Sequence, residues 1–281
     1  RIAIQAKGRL NEESIGLLAE AGVSIEDSKR KLLARSDGFP LEVLYLRDDD
    51  IPQAVSMGVA DLGVVGLNEV EEKGFDVEIV HRLGFGKCRL SLAVPKTEPY
   101  DGLSYFEGKR VATSYPVILS RFFREKGIAA EIHEIAGSVE IAPSVGMADA
   151  IFDIVSSGGT LVTNGLKEVE QVLFSEAVLI GGRALSDDKR QILSQLLFRI
   201  EAVERSRGLK YVLMNLPHAK IPEAVRILPG MKSPTILPLA QEGWSSMHVV
   251  INERDLWSKI EQLKAIGAED ILVLSLEKMI R

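Results

Sequence analysis

Short apolar runs alternate with amphipathic stretches of helix length over roughly the first two thirds of the chain. RIAIQAK (1–7), LEVLYLR (41–47), ADLGVVG (60–66) and EIVHRL (78–83) are too short for helices and rich in β-branched residues, so they read as strands. Between them NEESIGLLAEAG, closed by Gly22, and DDDIPQAVSMG, closed by Gly58, read as helices, because glycine takes the left-handed conformation that ends one. This rhythm predicts an α/β lobe with a parallel sheet. From Lys87 the run CRLSLAVP is expected to cross into a second lobe that continues with KRVATSYP, a helix VILSRFFREKG, and strands EIHEI and ADAIFDIV. EAVLIGG is expected to return to the first lobe, and a charged helix follows from Asp187 to Arg205. After Gly208 the pattern changes to β-α-β-β-α-β, a ferredoxin-like unit of about 70 residues.

The expected domains are therefore a first lobe at 1–86 and 172–207, a second lobe at 87–171, and a C-terminal unit at 208–281. Two α/β lobes joined by a crossing chain form the periplasmic-binding-protein-like architecture, which places a ligand in the cleft between them.

The chemistry concentrates in Glu140–Leu166. Ala148–Val155 is apolar except for Asp149 and Asp153, as in a strand covered on both faces. Ser156-Ser157-Gly158-Gly159-Thr160 then leads into TLVTNGL, a helix-competent segment. Backbone N–H groups and three hydroxyls in such a loop suit an anion, although the same residues also make turns that bind nothing. Asp153 weights the first reading. A carboxylate at the strand end can accept hydrogen bonds from two vicinal sugar hydroxyls while the loop holds the attached phosphate, which is a ribose-phosphate geometry. Other nucleotide signatures are absent: Gly108-Lys109 is followed by Arg110 and lacks the Walker spacing, and Gly84-Phe85-Gly86 has Arg89 where a third glycine belongs.

Composition narrows the partners. The 281 residues are 46% hydrophobic and 26% charged, with a net charge of −6 and no long Lys/Arg run. That balance argues against nucleic acid and anionic membranes. No apolar stretch approaches the roughly 20 residues that span a bilayer, and Arg1-Ile2-Ala3-Ile4 reads as a strand start, so a cytoplasmic protein is expected. The single cysteine, Cys88, and four scattered histidines give no disulfide and no metal-ligand spacing.

The ordered blocks Lys7-Gly8-Arg9, Leu46-Arg47-Asp48-Asp49-Asp50-Ile51-Pro52, Ala60–Gly66, Cys88-Arg89-Leu90, Ala112-Thr113-Ser114-Tyr115-Pro116, the loop at 156–160 and Ser233-Pro234-Thr235-Ile236 span nearly the whole chain. On these residues the sequence resembles the ATP phosphoribosyltransferases of histidine biosynthesis, in their long form. The resemblance implies displacement of pyrophosphate from 5-phosphoribosyl 1-pyrophosphate by N1 of ATP. It further implies Mg2+, a homo-oligomer that is dimeric or hexameric, and feedback inhibition by histidine bound to the C-terminal unit. The attacking nitrogen carries no proton, which agrees with the absence of a Ser-His-Asp, Cys-His or paired-carboxylate signature.

The expected site follows. Asp153, with Glu140 as the second acid implied by the resemblance, holds the ribose. Ser156, Ser157, Gly158, Gly159 and Thr160 hold its phosphate, and Glu140 or Asp153 is a candidate magnesium ligand. Lys7, Gly8 and Arg9 follow the first strand at the edge where open sheets bind ligands, and a solvated turn is the alternative there. Arg9 and Arg30 are assigned to phosphate neutralisation, with Arg30 on the leaving pyrophosphate. Arg47 and Asp49 are expected to face the nucleotide, while Asp50 reads as a helix cap. Tyr115 either borders the adenine or is a buried tyrosine before proline. Ser233 and Thr235 flank Pro234 at a strand entry and are the candidates for histidine. Two other readings share the architecture: a non-catalytic two-lobed small-ligand binding protein and a nucleobase-salvage phosphoribosyltransferase.

Overall fold

The computed structural model describes residues 1–26 and 32–281. The chain opens with β1 (Ile2–Gln5), α1 (Arg9–Glu20), β2 (Ser24–Ile25), β3 (Leu33–Asp37), β4 (Glu42–Leu46), α2 (Ile51–Ser56), β5 (Leu62–Gly66), α3 (Leu67–Lys73) and β6 (Glu78–Arg82). Next come β7 (Cys88–Pro95), β8 (Arg110–Thr113), α4 (Pro116–Lys126), β9 (Glu131–Glu134), β10 (Ala150–Val155), α5 (Gly159–Thr163) and β11 (Leu166–Ser175). Then β12 (Ala177–Gly181) and α6 (Asp187–Ser206) follow. The chain divides into two compact units, Arg1–Ala19 with Val23–Ile192, and Glu20–Gly22 with Leu193–Arg281.

In the first unit one sheet has the order β2-β3-β4-β1-β5-β12-β6 among the described residues. Its centre is parallel, with β1 between β4 and β5, but β12 runs antiparallel to both β5 and β6. The expected parallel sheet is therefore mixed: β12 enters from the second sheet's last strand instead of through a helical crossover, and at the other edge β3 runs antiparallel to β4 and β2 to β3. Close packing of α2 on β5 depends on Gly63, where a Cβ would lie 2.6 Å from Ile51 Cγ2 and 3.0 Å from Val55 Cγ2.

The second sheet has the order β11-β7-β10-β8-β9, with β10, β8 and β9 parallel and β7 antiparallel to both neighbours. It is covered on both faces. Leu90, Leu92 and Phe152 pack with Phe106, Leu119 and Phe123, while Ala93, Ile151 and Val155 pack with Val139, Leu161 and Leu166. Double burial is why β7 and β10 read as nearly continuous apolar runs. The chain passes between the sheets twice, and the crossings are tied together by Leu83 N–H to Ala177 O at 3.0 Å and Ala177 N–H to Phe85 O at 2.9 Å.

Two local expectations change. Asp48–Asp50 form a 3-10 turn, and Asp50, directly before α2, makes no side-chain hydrogen bond to the helix; its backbone is already helical at φ −88°, ψ −18°. It therefore acts on the helix end only through its charge. The segment TLVTNGL forms a helix only as far as Thr163, and from Leu166 it belongs to the ten-residue strand β11.

The C-terminal strands and helices are β13 (Leu209–Pro217), α7 (Ile221–Ile227), β14 (Thr235–Pro238), β15 (Trp244–Asn252), α8 (Glu253–Ala265) and β16 (Glu269–Ser275). The sheet order β14-β15-β13-β16, antiparallel throughout, is the ferredoxin-like arrangement anticipated. Alternate residues Val212, Met214 and Leu216 of β13 and Met247, Val249 and Ile251 of β15 bury against Ala224, Leu256 and Leu263 of the helices. The Asn252 side chain caps α8 by accepting from Arg254 N–H at 3.0 Å. No helix among the described residues is long and apolar enough to cross a membrane.

Candidate functional site

Strand ends and the turns after them meet at the gap between the two sheets. A cavity of about 330 Å3 there is lined by Gly8 and Arg9 after β1, Asp48 after β4, Asn68 and Glu69 after β5, Cys88 at the crossing, and Ile154 and Ser156 at the end of β10. This is the edge of an open α/β sheet at which ligands bind.

Asp153 lies on β10 opposite Ser91 of β7, and its Oδ1 accepts the Ile154 N–H at 2.8 Å. Burial raises its carboxyl above the ordinary aspartate value; the Ile154 hydrogen bond opposes the rise and the nearby charge of Glu140 adds to it. Glu140 sits in a 3-10 turn, Val139–Ile141, that follows Ser138 at φ +51°, a left-handed backbone that side chains seldom adopt. The structure thus brings both expected acids into one electrostatic neighbourhood.

The loop at 156–160 begins one residue past β10. Ser156, Ser157, Gly159 and Thr160 are exposed, and Gly158 takes φ +81°, which only glycine adopts readily. Gly158 O accepts Val162 N–H at 3.1 Å, so the loop closes directly into α5.

On the other side, Gly8 takes φ +94° and Arg9 Nε pairs with Glu13 Oε1 at 3.0 Å while remaining largely exposed. Lys7 is exposed in the same turn but does not line the cavity. Arg47 and Asp49 pair with each other at 3.2 Å and also stay outside it, whereas the adjacent Asp48 lines it. Arg30, with its neighbours Lys29 and Lys31, lies outside the described residues. Tyr115 is buried at 8% exposure, its ring in the second lobe's core and its hydroxyl donated to Glu69 at 3.0 Å; it does not line the cavity. Ser233 and Thr235 belong to the other compact unit, at an exposed strand entry where Thr235 pairs in register with His248.

Sequence reasoning passed over Asn68, Glu69 and Glu13, all of which line the cavity. The usable signal was position: Asn68 and Glu69 come one residue after the apolar strand ADLGVVG, at its carboxyl end.

No group of three or more His, Cys, Asp or Glu side chains converges as a metal cage among the described residues. The chemistry of the two candidate donors suits magnesium: Asp153 and Glu140 are carboxylates, the oxygen ligands a hard cation takes together with substrate phosphates and water.

The family model described as "ATP phosphoribosyltransferase" (HisG) matches residues 47–202, and that of the HisG C-terminal domain matches residues 206–278. An ATP phosphoribosyltransferase of Bacteroides thetaiotaomicron is 61% identical over 280 residues, covering 100% of this chain and 99% of its own. One from Cytophaga hutchinsonii is 52% identical over 281 residues, covering 100% and 98%. Among solved structures, the ATP phosphoribosyl transferase (HisG:HisZ) complex from Thermotoga maritima aligns with a TM-score of 0.62 at 28% identity, over 71% of this chain and 95% of that one. With one family model over residues 47–202, the C-terminal-domain model over 206–278 and full-length relatives at 52–61% identity, this chain belongs to the ATP phosphoribosyltransferase family of histidine biosynthesis, in its long form with a C-terminal domain.

Proposed function

We propose that the cleft joins ATP to 5-phosphoribosyl 1-pyrophosphate, N1 of the adenine displacing pyrophosphate with inversion at the anomeric carbon to give N1-(5-phosphoribosyl)-ATP. One observation carries this reading: Asp153, not itself among the lining residues, stands two residues before the end of β10 and the exposed Ser/Gly loop, and the adjacent Ile154 and Ser156 line a cavity that Arg9 also lines. In this reading Asp153 accepts hydrogen bonds from the ribose hydroxyls, and Glu140 supports it from the neighbouring turn. Ser156, Ser157, Gly158, Gly159 and Thr160 hold the 5-phosphate with N–H and hydroxyl donors. Arg9 neutralises phosphate charge from the first lobe, as does Arg30, while Lys7, Gly8, Arg47 and Asp49 serve the nucleotide.

The reaction needs no proton removed at the attacking nitrogen. The barrier lies in charge: positive on the ribose ring, negative on the departing pyrophosphate. A half-buried carboxylate held against the ring meets the first need, and basic side chains meet the second. Glu140 or Asp153, together with substrate phosphates, would hold magnesium when it is bound, and the ion would supply further neutralisation of the leaving group.

The proposal extends to a cytoplasmic homo-oligomer inhibited by histidine through the C-terminal unit. A coupled assay for pyrophosphate release tests the activity: release requiring both ATP and phosphoribosyl pyrophosphate is expected. Release with a free nucleobase in place of ATP identifies a salvage enzyme instead, and binding without turnover identifies a receptor.

A further inference from the structure

Asp153 shares its sheet face with a second charged group that the reaction as described does not use. Arg89 on β7 donates from Nε and Nη2 to Oε1 and Oε2 of Glu168 on β11, at 2.6 and 2.5 Å. The fully buried Ser91, opposite Asp153 in the ladder, donates its hydroxyl to Glu168 Oε1 at 2.8 Å. With two edges of the guanidinium fixed, the remaining Nη1 donates to the carbonyl oxygen of Ser156 at 3.2 Å. Ser156 opens the loop and lines the cavity.

We infer that Arg89, oriented by Glu168, is a positioning residue that sets the backbone of the phosphate loop for the phosphoribosyl substrate; the inference rests on the assignment of 156–160 to that phosphate. The reason is peptide geometry. A planar trans peptide directs its C=O and N–H oppositely, so holding Ser156 O against Arg89 turns the Ser157 N–H the other way, away from the sheet. Only a planar fork pinned by a bidentate carboxylate fixes that direction; a lysine ammonium at the same place would supply charge without it.

The competing explanation is mechanical. β11 carries register shifts between Glu168 and Glu170 and between Gln171 and Leu173, and the pair also ties this irregular strand to β7. Steady-state kinetics on Glu168→Gln and Arg89→Lys in the full chain separate the two, with Thr160→Val as the variant of the loop itself. A positioning role raises the KM for phosphoribosyl pyrophosphate by about tenfold, the size of one hydrogen bond to a charged group, and leaves the KM for ATP unchanged. In Arg89→Ala, added ethylguanidinium then restores the lower KM. A mechanical role lowers the melting temperature of Glu168→Gln and Arg89→Lys while both KM values stay at wild type, and that result overturns the inference. If Thr160→Val raises the KM for phosphoribosyl pyrophosphate and the pair's variants do not, the positioning role fails and the loop assignment stands. If none of the three moves it, both fail.

Discussion

The hydroxyl of Tyr115, at the start of α4 in the second lobe, lies 3.0 Å from Glu69 Oε1 on α3 in the first. Asn68 Nδ2 donates to both, at 3.0 Å to the carboxylate and 3.2 Å to the hydroxyl. Ser175, at the second crossing, fixes Asn68 in turn through two hydrogen bonds of 3.0 and 2.8 Å. Further along α3, Glu72 accepts the N–H groups of Val117 and Ile118 at 2.8 and 2.9 Å, satisfying first-turn donors of α4, and Glu71 pairs with Arg121 at 2.9 Å. A seven-residue helix thus latches one lobe to the other with three acids, beside the crossing strands.

Tyr115→Phe is expected to loosen this latch. Glu69 is 7% exposed, so water does not readily replace the lost donor, and the cost is about 1–3 kcal/mol. Urea denaturation measures it, and an unchanged midpoint would show that the latch carries no stability.

Glu69→Gln is expected to change how stability depends on pH. Burial raises the Glu69 carboxyl above its ordinary 4.5; the Tyr115 hydrogen bond and Lys73 oppose the rise, and Asp48 and Asp49 add to it. A carboxyl whose folded value is raised stabilises the fold in full below its unfolded value, and loses that contribution as pH rises through the folded one. The wild type should therefore lose stability relative to Glu69→Gln as pH rises above 4.5. Parallel difference curves between pH 4 and 7, about the window in which a raised carboxyl titrates, count against a buried ionising Glu69.

How much of this was legible in sequence depends on the length and regularity of each segment. The C-terminal unit was read element by element because its strands alternate and its helices run past one turn. β11 was missed. Its alternation of apolar and charged residues is broken by two register shifts, which put Val169 and Val172 out of a simple period of two. Asp153 and its loop stand out as candidates in the sequence because chemistry and position coincide in a contiguous stretch. The latch was not, since Asn68, Glu69 and Glu72 come from one short helix and their partners lie about 45 to 107 positions away, a pairing that periodicity does not encode.

Asp153→Asn is expected to fold normally and to turn over poorly. The amide keeps the shape but not the charge that meets the ribose cation, a loss of about 3 kcal/mol in preorganised sites. In the wild type the acid limb of the kcat/KM profile should lie above the ordinary aspartate value of 3.8, because burial raises this carboxyl, and it should vanish in the variant. Near-normal kcat/KM in a folded Asp153→Asn protein removes the residue from the site.

Thr235→Ala addresses regulation. Thr235 opens β14 beside Pro234, exposed, in the compact unit that does not contain the cleft. Its hydroxyl and the neighbouring Ser233, whose Oγ donates to Pro234 O at 3.3 Å, can hold the polar ends of an amino acid. An inhibitor bound there acts through a coupling free energy, typically about 1–3 kcal/mol, so saturating phosphoribosyl pyrophosphate should not abolish inhibition by histidine. The substitution should raise the histidine concentration needed for half-inhibition while leaving the uninhibited rate unchanged. Identical responses of variant and wild type remove Thr235 from the effector site, and direct competition between histidine and a substrate moves inhibition into the cleft. A shift in half-inhibition with an intact basal rate assigns the ferredoxin-like unit its regulatory role, because Thr235 is no part of the chemistry it would be controlling.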